Sequence, residues 1–162
     1  MTVAKINQDI VKKLIDLNLT ISTCESITGG LVASQFVSIE NASRTFLGGL
    51  ITYSNQSKIA LANVSEKTIK QFGAISEQTA IEMAKGVQEK FKSDLAISTT
   101  GNASILNPME NKSGISFICI RLLDKNHVFE YETNTTDRND VRIEVVSQVV
   151  NNLWKLIKDM KK

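Results

Sequence analysis

Three short apolar runs, each set against segments of helical periodicity, govern what this chain can build. Residues 19–23, 46–54 ("FLGGLITYS") and 95–100 are compact runs with strand composition, which favours β-branched and aromatic side chains. Around them apolar residues recur every three or four positions, the spacing of an amphipathic helix. Ile6, Ile10, Val11, Leu14 and Ile15 place a helix over the first 17 residues, and Leu31, Val32, Phe36 and Val37 place a second from Gly29 to about Ser38. Asn55 is suited to cap a short helix over residues 56–62, a further helix covers 66–72 before Gly73, and Ser76 caps a longer one to about Lys92 with Ile81, Met83, Ala84 and Val87 inward; Ser and Asn accept hydrogen bonds from the free N–H groups of a first helical turn.

The second half changes character. After a loop over residues 101–113, which carries the single proline, Pro108, residues 115–122 and 128–133 form a hairpin around Asp124, Lys125 and Asn126. Val141, Val145, Val149, Leu153 and Leu156 then mark a final helix over residues 138–158. Helices alternating with strands early and a hairpin late predict an α/β protein: a three-layer α/β/α sandwich on a mixed central sheet, in one domain over residues 1–162. The 162 residues suffice to bury roughly two thirds of the unfolded surface without staples.

Composition excludes several functions. A net charge of +2, with no basic stripe interleaved with aromatics, argues against nucleic-acid binding. No apolar run of about 18 residues suggests a membrane span, and the N-terminus lacks a signal-peptide pattern, so a cytoplasmic location is expected. Cys24 and Cys119 lack metal or redox spacing and are expected as reduced thiols. With one histidine, His127, expected to be structural or exposed, and no Cys/His/carboxylate cluster, neither a metal site nor a histidine-based triad is expected. Phosphate-binding glycine signatures are also absent, and no cofactor is expected.

The stretch "TCESITGG", residues 23–30, is a strand-to-helix turn. It reads either as a plain turn with Ser26 as a helix cap, or as a nucleophile held beside a helix N-terminus. A serine can be activated without histidine or metal by a lysine held neutral through burial. Lys58, on the first turn of the short helix after "ITYSNQ", is the candidate, since the other lysines lie mostly on polar faces. Gly29 and Gly30 would let backbone N–H groups approach the anion that forms when a carbonyl is attacked.

These stretches resemble the C-terminal domain family of the competence/damage-inducible protein CinA, whose members include nicotinamide-nucleotide amidases. "TCESITGG" is similar to the family's T-A-E-S-x-T-G-G, and "GGLITYSNQSK" (residues 48–58) to its G-G-x-x-x-Y-S-N-x-x-K. "GAISEQTA" and "DLAISTTG" continue the order, and Arg138 and Arg142 resemble its R-x-x-x-R. The resemblance implies a metal-independent amidohydrolase that converts nicotinamide mononucleotide to nicotinic acid mononucleotide and ammonia. It assigns Ser26 as nucleophile, Lys58 as general base and Tyr53 as a group assisting or orienting that pair. Thr100 would line the pocket, Asn55 and the Thr28–Gly29–Gly30 turn would contact substrate, and Arg138 or Arg142 would hold its phosphate, for which a planar guanidinium is suited. Glu25 either fixes the turn through a hydrogen bond or faces solvent, and Cys24, where the family has alanine, reads as a small buried hydrophobe.

The resemblance further implies a stand-alone version of a domain that often follows another, and a homo-oligomer, dimer or higher, using "FLGGLITY" or the last helix. The sequence departs from the pattern after Gly101, where "TGNASILNPMENKSG" stands for a glycine-rich T-G-I-A-G-P segment. Loss of those glycines changes how the loop backbone can approach a ligand. The alternative function is therefore a catalytically weak or inactive paralogue that binds a pyridine nucleotide or a protein partner.

Overall fold

A computed structural model of the chain describes residues 3–104, 114–133 and 135–162. Pro108 and most of the divergent loop lie outside the described residues. The elements run α1 (Val3–Leu17), β1 (Ile21–Glu25), α2 (Leu31–Val37), β2 (Phe46–Ile51), α3 (Asn55–Ala62), α4 (Glu66–Phe72), α5 (Glu77–Phe91), β3 (Leu95–Gly101), β4 (Ile115–Leu122), β5 (Lys125–Glu132) and α6 (Arg138–Ile157), with a short 3₁₀ turn at Ala42–Arg44. They form the expected three layers on one five-stranded mixed sheet of order β2-β1-β3-β4-β5.

The chain leaves β1 through α2 to reach β2 on one side, then crosses through α3, α4 and α5 to β3 on the other. β1 pairs parallel with both neighbours, while β3, β4 and β5 are antiparallel. Right-handed crossovers in opposite directions put their helices on opposite faces of the sheet. α1, α2 and α6 accordingly cover one face around Ile10, Leu14, Ile21, Ile97, Ile118, Ile120, Val145, Val149 and Leu153. α3, α4 and α5 cover the other around Ala62, Met83, Ala84, Val87, Ala96 and Cys119. Full burial of a Met83 or a Val87 contributes about 1.5–3 kcal/mol each. The second face is thin, because small residues dominate it. Gly86 on α5 lies so close to α3 that a Cβ there would run into the Ala62 carbonyl.

Several boundaries differ from the sequence expectation. β1 begins at Ile21 rather than 19, because Leu19 N–H closes the end of α1 on the Leu14 carbonyl and Thr20 is tied through its N–H and hydroxyl to the Asp94 carboxylate. It runs on through Cys24 and Glu25, which pair with Leu50 and Ile51 on one side and Ser98 and Thr99 on the other. β2 stops at Ile51 because β1, its one neighbour among the described residues, ends at Glu25. The cap of α3 is Ser54, not Asn55: its hydroxyl accepts from Ser57 N–H while the Ser57 hydroxyl accepts from Ser54 N–H. Ser76 does cap α5. The hairpin turns at Leu123 and Asp124, one step before the expected centre, held by Gln88 Nε2 donating to the Leu123 carbonyl and Arg121 to that of Asp124.

Candidate functional site

The carboxyl ends of β1 and β3 meet where the crossovers diverge. In an open α/β sheet such a switch point is where ligands bind, because the chain turns away on both sides and leaves a crevice. In this fold the crevice is a cavity of about 300 Å³ lined by Ser26, Ile27, Tyr53, Asn55, Lys58, Ala74, Ile75, Thr100, Gly101, Asn102, Ala103 and Arg138. Six of the expected site residues are brought together in that lining: Ser26, Tyr53, Asn55, Lys58, Thr100 and Arg138.

Lys58 sits in the first turn of α3, the helix directed by the Ser54 capping box. The side chain reaches inward and is 2% exposed. Its Nζ donates to the Thr52 carbonyl at 2.8 Å and lies 3.0 Å from Ser26 Oγ. Among the described residues no carboxylate pairs with it. Burial therefore lowers the Lys58 pKa from the ordinary 10.5, with the neighbouring Cys24 opposing that shift more weakly. A buried ammonium loses hydration that a carbonyl and a hydroxyl do not replace. The arrangement is that of an amine able to take the proton of a hydroxyl at hydrogen-bond distance.

Ser26 is anchored by its own main chain, with N–H donating to the Thr99 carbonyl at 2.9 Å. Around the cavity mouth, Arg138 donates to the Tyr53 hydroxyl at 2.6 Å and to Ser104 Oγ at 3.3 Å, so it bridges α6, the β2–α3 connection and the segment after β3. Tyr53 thus meets Arg138 rather than the Ser26–Lys58 pair. Thr100 lines the cavity and donates its hydroxyl to the Ala74 carbonyl at 2.7 Å.

Thr28, Gly29, Gly30 and Arg142 are not in the lining; they build the turn behind Ser26. Gly29 and Gly30 hold φ of 58° and 99°, a region that costs any residue with a Cβ about 1 kcal/mol or more. Arg142 donates from Nε to the Ile27 carbonyl and from Nη2 to that of Thr28, both at 3.1 Å, and from Nη1 to Asn139 Oδ1. Its fork is filled by the protein. The Gly30 N–H, expected as an oxyanion donor, goes instead to Glu25 at 2.9 Å. Ile27 lines the cavity, and among the described residues its N–H has no acceptor.

Glu25 settles into the first of its two expected roles. It is 1% exposed, and its carboxylate accepts from Gly30, Val32 and Ala33 N–H and from the Thr28 hydroxyl at 2.7–3.0 Å. Gly30, the N-cap of α2, has no side chain to satisfy those donors. The carboxylate replaces a cap, placed at the end of the helix where negative charge is stabilised. Its position just before a T-G-G turn is the signal that could have foretold this. The cavity walls from Ala74, Ile75, Asn102 and Ala103, and the Thr52 carbonyl that orients Lys58, had no such signal.

Cys24 and Cys119 are both buried and unpaired in disulfides, and burial pushes their thiols up to about 11 and about 12. Among the described residues no group of His, Cys, Asp and Glu could hold a metal, and no helix is long and apolar enough to cross a membrane.

Known proteins carry the same arrangement of elements. The CinA C-terminal domain family model matches residues 3–157. Protein MG115 of Mycoplasma genitalium is 46% identical over 132 residues, covering 81% of this chain and 83% of that protein. A CinA-like protein of Sulfurihydrogenibium sp. is 40% identical over 151 residues, 92% of this chain but 37% of the relative's own length. A competence-damaged protein (CinA) superfamily protein of Escherichia coli superposes with a TM-score of 0.91 at 25% identity, over 96% of this chain and 90% of that one. With the match running from α1 to the end of α6, the chain belongs to the CinA C-terminal domain family.

Proposed function

We propose that the chain is a metal-independent amidohydrolase that deamidates nicotinamide mononucleotide to nicotinic acid mononucleotide and ammonia. The observation that carries this reading is the buried, carboxylate-free Lys58 Nζ at 3.0 Å from Ser26 Oγ on the floor of a cavity. Neutral Lys58 takes the Ser26 proton as Oγ attacks the carboxamide carbon. The resulting oxyanion is met by the Ile27 N–H, a type of donor whose loss costs about 100-fold or more in rate. As the tetrahedral adduct collapses, the C–N bond breaks and Lys58 returns the proton to the departing amine, giving ammonia and an ester on Ser26. Lys58 then deprotonates a water that attacks the ester, releasing the acid and restoring Ser26. In this reading Arg138, exposed at the mouth, exchanges Tyr53 for a substrate phosphate, while Asn55 and Thr100 shape the cavity around the rest.

The experiment is ammonia release from nicotinamide mononucleotide with chelator present, for the wild type beside Ser26→Ala and Lys58→Ala. Turnover by the wild type and a loss of at least about 1,000-fold in both variants is the expected result, since nucleophile and base act as one unit. Nucleotide binding without turnover would refute deamidation of this nucleotide and favour the binding paralogue.

A further inference from the structure

Ser26 is held on its buried side by a closed ring of hydrogen bonds whose other members, Glu25, Thr28 and Thr99, do not line the cavity. Its N–H donates to the Thr99 carbonyl at 2.9 Å. The hydroxyl of the same Thr99 lies 2.7 Å from that of Thr28, and Thr28 Oγ1 donates to Glu25 Oε2 at 2.7 Å. The peptide bond between Glu25 and Ser26 closes the loop. The direction is unambiguous: the Thr28 proton is committed to Glu25, so Thr99 must be the donor to Thr28. Both oxygens of Glu25 also accept backbone N–H groups of α2, so the ring is tied to that helix as well. Glu25, Thr28 and Thr99 are all at most 1% exposed, and none lines the cavity.

We propose that Glu25, Thr28 and Thr99 are positioning residues that hold Ser26 Oγ on Lys58. The proposal rests on the Ser–Lys reading above. Ser26 stands at the end of β1, beyond the last paired residue of the strand ladder, and its N–H is tethered to the Thr99 carbonyl. Thr99 supplies that tether and, through its hydroxyl, a second link to the same turn. Without the second link the turn is tied to β3 by the Ser26 N–H alone, and Arg142 and Glu25 hold only its far side. A displacement of about 1 Å between reacting groups can cost about 100-fold in rate, so a hydroxyl that never meets substrate can still govern chemistry.

The test measures how fast Ser26 reacts with a fluorophosphonate probe, which reports on the Ser–Lys pair without depending on the natural substrate. In that reaction the Ser26 Oγ–P bond forms, the P–F bond breaks, fluoride leaves and the proton passes to Lys58. Labelling of the full chain, located by mass spectrometry, is compared with melting temperature for the wild type, Thr28→Ser, Thr28→Val and Glu25→Gln. Thr28→Ser keeps the hydroxyl and loses a methyl; Thr28→Val does the reverse. We expect Thr28→Val and Glu25→Gln to label at least about 10-fold more slowly and Thr28→Ser within about two-fold of wild type, whatever the order of their melting temperatures. Wild-type labelling rates in folded Thr28→Val would overturn the proposal, as would equal slowing in Thr28→Ser. Should the Thr28 and Glu25 variants lose their cooperative melt, Thr99→Ser against Thr99→Val carries the same comparison. A wild type that labels at Ser26 but releases no ammonia from nicotinamide mononucleotide refutes the substrate reading alone. A wild type that does not label removes the Ser–Lys reading and this proposal together.

Discussion

Lys58 is held in a state that costs stability. Its folded pKa lies below the ordinary 10.5, so between the two values the unfolded chain binds a proton that the folded chain does not. Stability therefore rises with pH across that window: the penalty is full below the folded pKa, where a buried ammonium must be carried, and vanishes above the unfolded one. Activity should rise over the lower end of the same window, as the amine becomes a base. Lys58→Met should abolish turnover yet leave the protein as stable at pH 7, or more stable by on the order of 1 kcal/mol, because an apolar side chain of similar length has no charge to desolvate. Thermal melts from pH 6 to 10 check this. The wild type should gain stability with pH relative to Lys58→Met, and a wild type that instead loses stability would show that Lys58 is charged and paired.

α3 carries Lys58, so whatever seats α3 seats the proposed base. Two devices do so: the Ser54–Ser57 capping box at its start and the contact of its end with Gly86 of α5. Gly86 lies in the interior of a helix, where glycine costs about 1 kcal/mol relative to alanine, so propensity alone predicts that Gly86→Ala is stabilising. The packing predicts the opposite. A methyl directed at the Ala62 carbonyl forces α3 away from α5, and overpacking of this kind typically costs about 1–3 kcal/mol. Gly86→Ala should lower the melting temperature and, by moving Lys58 off Ser26, reduce turnover beyond what the loss of folded protein accounts for. A rise in melting temperature with unchanged turnover would mean the two helices part without consequence.

Two cysteines on one face of the sheet report on opening of the entire fold. Cys24 on β1 and Cys119 on β4 both sit in the thin layer beneath α5, fully buried, with thiols raised to about 11 and about 12. Thiolate is the reactive form, so iodoacetamide at pH 8 should leave both unmodified in the native protein and modify both together as denaturant unfolds it. Intact-mass analysis along a urea titration checks this. A singly modified species below the unfolding midpoint would show that one edge of the sheet opens ahead of the other.

The order of strands and helices, the late hairpin and the pairing of Ser26 with Lys58 as candidates were legible in the chain, because periodicity and residue chemistry are local properties. Even the turn at Gly29 and Gly30 could be read, since only glycine adopts positive φ without strain. What neighbouring residues cannot encode is which partner a polar group finds. Ser54 rather than Asn55 caps α3, Arg142 spends its guanidinium on the Ile27 and Thr28 carbonyls while Arg138 faces the cavity, and Tyr53 meets Arg138. Glu25 carries a local signal in its place before the T-G-G turn, but its burial against α2 comes from the sheet. The Arg142 and Tyr53–Arg138 outcomes depend on groups brought together across 85 or more residues of chain, whereas the Ser54 and Glu25 outcomes are choices among competing partners within eight residues. The lowered pKa of Lys58 has the same origin, for it arises from the removal of water by α3 and the sheet packed around it, and a lysine has no such property in the sequence alone.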